Sequence, residues 1–147
     1  MKKFRFPLEK LLRYRRARLV AEQGKLERIL AEQRTVQERR AALEREDRMV
    51  MENLRRLPVL TSVELDAASA FRRFAETETA RLISVEGELA SRLERQREAL
   101  LAARREVEVL ERLRERRYDD WRRELDREME SQVADLVVAR WRSQDGH

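Results

Sequence analysis

From Pro7 to Gly146 the chain offers one place to turn. Pro58 is the only proline after Pro7, and Gly24 and Gly87 stand singly inside helix-forming sequence. A prolyl ring removes a backbone N–H and clashes with the turn before it, so a helix arriving through Arg56 and Leu57 stops there. Thr61-Ser62-Val63-Glu64 then supplies a cap with an acid three residues on, the capping-box spacing. Pro7 suits the first turn of a helix, where its missing N–H is not needed. The pattern predicts a helix over about 7–57, a turn over 58–60, a second helix over about 61–142 and a frayed tail at 143–147. At ~1.5 Å per residue these are helices of roughly 75 Å and 120 Å. Gly24 and Gly87 each cost ~1 kcal/mol against Ala, tolerable at such lengths.

Helices this long persist only when an apolar seam is buried. A heptad reading of the first helix sets Leu12, Leu19, Leu26 and Leu54 in one seam row, interrupted by Gln33, Arg40 and Asp47. Leu8, Ile29, Val36, Leu43 and Val50 fall in the other row, interrupted by Arg15 and Glu22. With so short a turn, folding back fixes the register. It sets Leu12 opposite Val107, Leu19 opposite Leu100, Leu26 opposite Leu93, Leu8 opposite Leu110 and Ile29 opposite Leu89. The polar interruptions also meet: Gln33 with Glu86, Arg40 with Thr79, Asp47 with Arg72 and Glu22 with Gln96. Arg15 opposite Ala103 is the awkward layer, relieved if the guanidinium reaches out to solvent. A parallel homodimer would instead stack Asp47 on Asp47 and Arg40 on Arg40. The expectation is therefore an all-α chain, a single domain over 1–147: two long helices in an antiparallel coiled-coil hairpin, the second longer, with an unpaired C-terminal overhang.

In that register the first helix ends opposite about Arg112, leaving about 113–142 without a helical partner. The overhang nevertheless repeats Tyr118, Trp121, Leu125, Met129, Val133 and Leu136, with Val137 alongside, at steps of three and four. Such a stripe reads as a docking face. The competing reading folds it onto Phe4 and Phe6, or onto another copy of the chain.

Composition narrows the chemistry. Charged residues make up 43% of the chain and aromatics 5%, which fits long helix or coiled coil better than a conventional globular core. There is no cysteine, so no disulfide, thiolate metal site or cysteine nucleophile, and the reducing cytosol is the simplest compartment. No secretory signal or membrane span is legible. The one histidine, His147, ends the chain and is not positioned as a base or ligand. The serines lack a histidine partner, no glycine-rich loop exists to cradle a phosphate, and the carboxylates alternate with Arg along solvated faces. The expectation is no enzyme, cofactor, metal or small-molecule substrate.

Charge is polarised at one end only. Residues 1–18 hold eight bases and one acid, Glu9, whereas the whole chain is +5, so the rest is close to balance. A basic helix leading into leucine heptads resembles a basic zipper at first. Phe4, Phe6, Pro7, Leu8, Leu11 and Leu12 would be wasted on a groove-reading helix, and small or amide residues for base edges are missing, so nucleic acid is disfavoured. A membrane-surface reading of residues 1–20 competes with the seam for Leu8, Leu12 and Leu19.

The opening Phe4-Arg5-Phe6-Pro7-Leu8-Glu9-Lys10-Leu11-Leu12 resembles the start of the flagellar type III export protein family FliJ, with its F-x-F-x-L-x-x-L-L segment. Leu110-Glu111-Arg112-Leu113-Arg114-Glu115-Arg116-Arg117, followed by Trp121 and Glu124, is similar to that family's C-terminal region, as is Asp135 followed by Ala139-Arg140. Where the family tends to place D-E, this chain has Asp135-Leu136.

The resemblance implies a two-helix stalk similar to the central shaft of rotary ATP synthases. Its termini end would engage the hexameric flagellar export ATPase, and the shaft would contact the cytoplasmic domain of the export gate protein FlhA and take part in export-chaperone traffic. The protein would then be cytoplasmic, held peripherally at the inner face of the cell membrane through its partners. Transferred by position, the ring-facing residues are Phe4, Phe6, Leu8, Leu11, Trp121, Leu125 and Arg140. The gate-facing candidates, near the hairpin tip, are Met49, Met51, Phe71 and Phe74. A stalk of a related injection-type secretion system and a generic coiled-coil adaptor are the alternatives.

Overall fold

The computed structural model describes residues 2–146; Met1 and His147, the latter discounted above as a catalytic group, lie outside the described residues. The described residues form two helices, α1 over Glu9–Arg56 and α2 over Ser62–Asp145, and no strand. α1 starts two residues later than the sequence suggested, with the Glu9 amide donating to the Phe6 carbonyl at 3.1 Å. α2 runs on through Asp145, so the stretch expected to fray at 143–147 is helical as far as that residue. Nothing between Leu136 and Gln144 interrupts a helix, which accounts for the extension.

The turn between the helices is closed as the sequence dictates. The Thr61 amide donates to Glu64 Oε2 at 3.1 Å while the Glu64 amide donates to Thr61 Oγ1 at 3.4 Å, a reciprocal capping box. Pro58 and its neighbours carry no helix. Gly24 and Gly87 keep negative φ and leave no kink to explain.

Contacts group the chain into two compact units, Met1–Leu19 with Ala102–His147, and Val20–Leu101. In the second unit, Ile29, Leu89 and Leu93 form a buried cluster that Leu26, Val36 and Val85 pack against. Leu43, Ala75 and Leu82 are buried as well. Their steps of three, four and seven along each helix turn one stripe of each inward. Partner numbers on α2 fall as those on α1 rise: Glu22 bonds Gln96, Glu32 bonds Arg92 at 3.2 Å, and Arg40 bonds Glu86. That order is compatible with a hairpin.

Of the four polar layers expected in this unit, one holds and three come out differently. The Glu22 layer holds: Gln96 Nε2 donates to both the carboxylate and, at 3.0 Å, the backbone carbonyl of Glu22, which is itself buried. Arg40, however, bypasses Thr79 and grips Glu86 with one nitrogen at 2.9 and 3.2 Å. Glu86 lies seven residues, about two turns, beyond Thr79 on α2, a span two long side chains can bridge together, and a charged acceptor offers the guanidinium more than a hydroxyl does. Glu86, expected opposite Gln33, is thus taken by Arg40. Arg72 pairs within its own helix with Glu76 at 3.7 Å rather than with Asp47. On the surface, the hydrogen bond from Arg81 holds the Glu78 carboxyl below its ordinary range, a pair too exposed to matter much to the fold.

In the first unit Leu12 is 0% exposed and clusters with Val107 and Leu110, with Leu19 packed against them. The awkward Arg15 layer resolves as a bridge: Arg15 Nη1 donates to Glu106 Oε2 at 2.6 Å over a buried Ala103. Leu8, assigned to the seam by its heptad position, lies on the surface, and Phe6 is buried instead. The heptad count assumed helix back to Pro7, but helical geometry begins only at Glu9, so residues 6–8 follow a different path.

Leu12→Ala and Leu89→Ala should each lower unfolding free energy by about 2–5 kcal/mol, read by urea denaturation followed by circular dichroism. Thr61→Ala should cost about 1 kcal/mol through the lost cap. A Leu12→Ala protein as stable as the parent would mean that this seam is not what holds the helices.

Candidate partner-binding site

The first unit gathers the residues that sequence assigned to partner binding near the chain ends. Residues 2–6 are not helical. In an extended segment alternate side chains share one side. Phe4 and Phe6 accordingly turn inward while Lys3 and Arg5 are exposed.

Phe4 seats itself on α2. Its ring meets Tyr118 edge-on at a centroid distance of 5.3 Å and 84°, and lies 5.9 Å from the Trp121 ring. Tyr118 and Trp121 are themselves 5.7 Å apart. The Arg114 guanidinium sits 5.6 Å from the Phe4 centroid, a cation–π contact, and its Nε donates to Glu9 Oε2 at 3.0 Å. Trp121 Nε1 donates to the Lys2 carbonyl at 3.1 Å. One aromatic clasp thus ties the N-terminal segment to three successive turns of α2.

The overhang is therefore shorter than the sequence pattern indicated. Counting helix against helix put its start near 113, yet an extended residue advances about 3.3 Å against about 1.5 Å in a helix. The five residues before Pro7 cover about as much of α2 as ten or eleven helical residues would, which carries them past Arg112 to Trp121. Of the two readings of the stripe, the one that folds its first part onto Phe4 describes Tyr118 and Trp121. Every described residue from Asp126 onward is exposed.

The ring-facing set divides accordingly. Phe6 is buried and Phe4, Trp121 and Leu125 are half-buried, whereas Leu8, Leu11 and Arg140 stand on the surface. Beyond Leu125 the free stripe comprises Met129, Val133, Leu136 and Val137 and ends on Trp141, 68% exposed. The stripe expected from sequence stops at Leu136 and Val137 although the helix was expected to run to about 142; the step of four from Val137 was the available signal for Trp141. Charge around the clasp is strongly positive. Residues 1–19 and 102–125 hold sixteen Lys and Arg against eight Asp and Glu, and a cleft of about 840 Å³ beside Phe4 and Trp121 is rimmed by four bases, Lys2, Lys3, Arg5 and Arg117, and two acids, Asp120 and Glu124.

Within the second unit, Phe71 and Phe74 have ring centroids 6.4 Å apart. Phe71 is half-buried and lines a groove of about 360 Å³ with Val50, Leu54, Leu57 and Ala68, while Phe74 and Met49 are exposed and Met51 is half-buried. Among the described residues no group of three or more His, Asp or Glu is placed to hold a metal ion, and no helix is long and apolar enough to cross a membrane. No family model, no curated protein and no solved structure matches the chain.

In a Trp141→Phe background, Trp121 fluorescence reports on the clasp alone. Phe4→Ala should shift that emission to the red with helicity retained, because removing the ring opens Trp121 to water. An unshifted spectrum would show that the N-terminal segment does not cover it.

Proposed function

We propose that this chain is a non-enzymatic stalk or adaptor of the flagellar type III export apparatus, its two helices paired as an antiparallel coiled coil. The end carrying both termini engages the hexameric export ATPase and promotes ring assembly, and the pair of helices couples the ring to the cytoplasmic domain of the export gate protein FlhA and to export chaperones. Membrane association is peripheral and comes through those partners.

The observation that supports this most is the clasp. It fixes the F-x-F segment, on which the resemblance rests, against the second motif-bearing stretch at Arg114, Tyr118 and Trp121. Two segments about a hundred residues apart in sequence thereby form one surface, with Leu8 and Leu11 exposed beside it and an excess of positive charge around it. A surface of exposed leucines rimmed by arginines suits an acidic protein collar, where apolar contact supplies affinity and charge steers the approach.

The purified chain should co-elute with a flagellar export ATPase and raise its ATP hydrolysis. Leu8→Ser with Leu11→Ser should weaken that binding by about tenfold or more without lowering the melting temperature, since both side chains are on the surface. Unchanged hydrolysis together with separate elution would remove the reading.

A further inference from the structure

The free end of α2 is self-complementary, and we propose that it pairs with the same segment of a second copy in antiparallel fashion. Met129, Val133, Leu136, Val137 and Trp141 occupy one face at steps of three and four, all about half exposed or more. Two charges share that face: Glu130 near its start and Arg140 near its end. Nothing else described in the chain covers them.

The spacing identifies the occupant. A two-fold axis passing at the level of residue 135 exchanges Met129 with Trp141, Glu130 with Arg140, and Val133 with Val137. Apolar meets apolar and acid meets base in every exchange, the property an isologous contact between identical segments requires. A parallel pairing would set Glu130 on Glu130 and Arg140 on Arg140, like against like in a half-buried seam. An unrelated partner would require no symmetry between the charges and the apolar positions. The segment is about three and a half helical turns, so the contact is small and the association reversible. Arg140 also belongs to the ring-facing set, so the pairing and the ATPase ring compete for this end of α2; the pairing itself is a property of the isolated chain and stands or falls apart from the proposed function.

Sedimentation of the full chain at roughly 100 μM, a concentration suited to a small interface, should give a weight-average mass rising from 17.7 kDa toward twice that value. Leu136→Ser should abolish the rise while leaving helicity intact. Glu130→Arg and Arg140→Glu should each weaken association by about tenfold, and mixing the two variants should restore it to the parental level, because each copy then offers the charge the other needs. The chain has no cysteine, so Val133→Cys and Val137→Cys proteins give a clean second readout: mixed, they should form disulfide-linked pairs of one with the other in preference to either with itself. A monomer throughout the concentration range overturns the proposal. So does association that survives Leu136→Ser, or a mixture of charge variants no better than its components, since the contact would then lie elsewhere or run in another direction.

Discussion

Burial of one stripe on each helix is the interaction on which the rest depends. Neither α1 nor α2 has a propensity that would hold so long a helix in water unaided, and a chain this highly charged has little else to bury. What it buries is narrow. The clusters around Leu12 and around Ile29 are each a few side chains wide, and the charged residues outside them are solvated or paired along the surface. Because the stripe is thin, the layers that are not apolar matter: Gln96 satisfies the buried Glu22 carboxylate, and Glu86 takes Arg40 Nη1 although Arg40 Nε stays buried without a partner. Such layers contribute little net stability, but they penalise any shift of register that would bring the charges against leucine.

That dependence explains which features were legible in the sequence. Period and polarity are written in the chain itself, so the inward positions of α2 from Ala75 to Leu110 and the reciprocal cap at Thr61 follow from residue identity alone. The layers that came out differently involve arginine. A heptad position fixes where an Arg side chain begins, whereas its length lets the guanidinium choose among acceptors over more than a turn: Arg40 took a carboxylate over the Thr79 hydroxyl expected opposite, and Arg72 took Glu76 of its own helix over Asp47 across the seam.

The chain ends were the least legible part, for a geometric reason. Treating Pro7 as the start of helical accounting placed Leu8 in the seam and left Tyr118 and Trp121 bare. Residues 2–6 are not helical, and a few residues of chain outside a helix can reach as far as two or three helical turns. Alternation of Phe4 and Phe6 with charged residues was the available sign of that conformation. Read as period two rather than as the start of a helix, it sends both rings to one side and gives the aromatic pair on α2 its cover.

The clasp also changes what the charges near the ends can do. Arg114 is engaged twice, by the Phe4 ring and by Glu9, and so is tied to the N-terminal segment it holds down. Lys2, Lys3, Arg5 and Arg117 line an open cleft with only Asp120 and Glu124 to set against them, an excess of two positive charges. An excess of bases beside exposed leucines suits the proposed acidic partner, since such charge steers an approach and apolar contact supplies affinity. Beyond Leu125 the balance reverses: five acids stand against three bases from Asp126 to the end. Two surfaces of opposite sign thus lie along one continuous helix. The hydrophobic stripe that crosses from one to the other is covered by Phe4 at Tyr118 and Trp121 and free from Met129 to Trp141, so the proposed acidic partner and the proposed second copy would address different turns of α2.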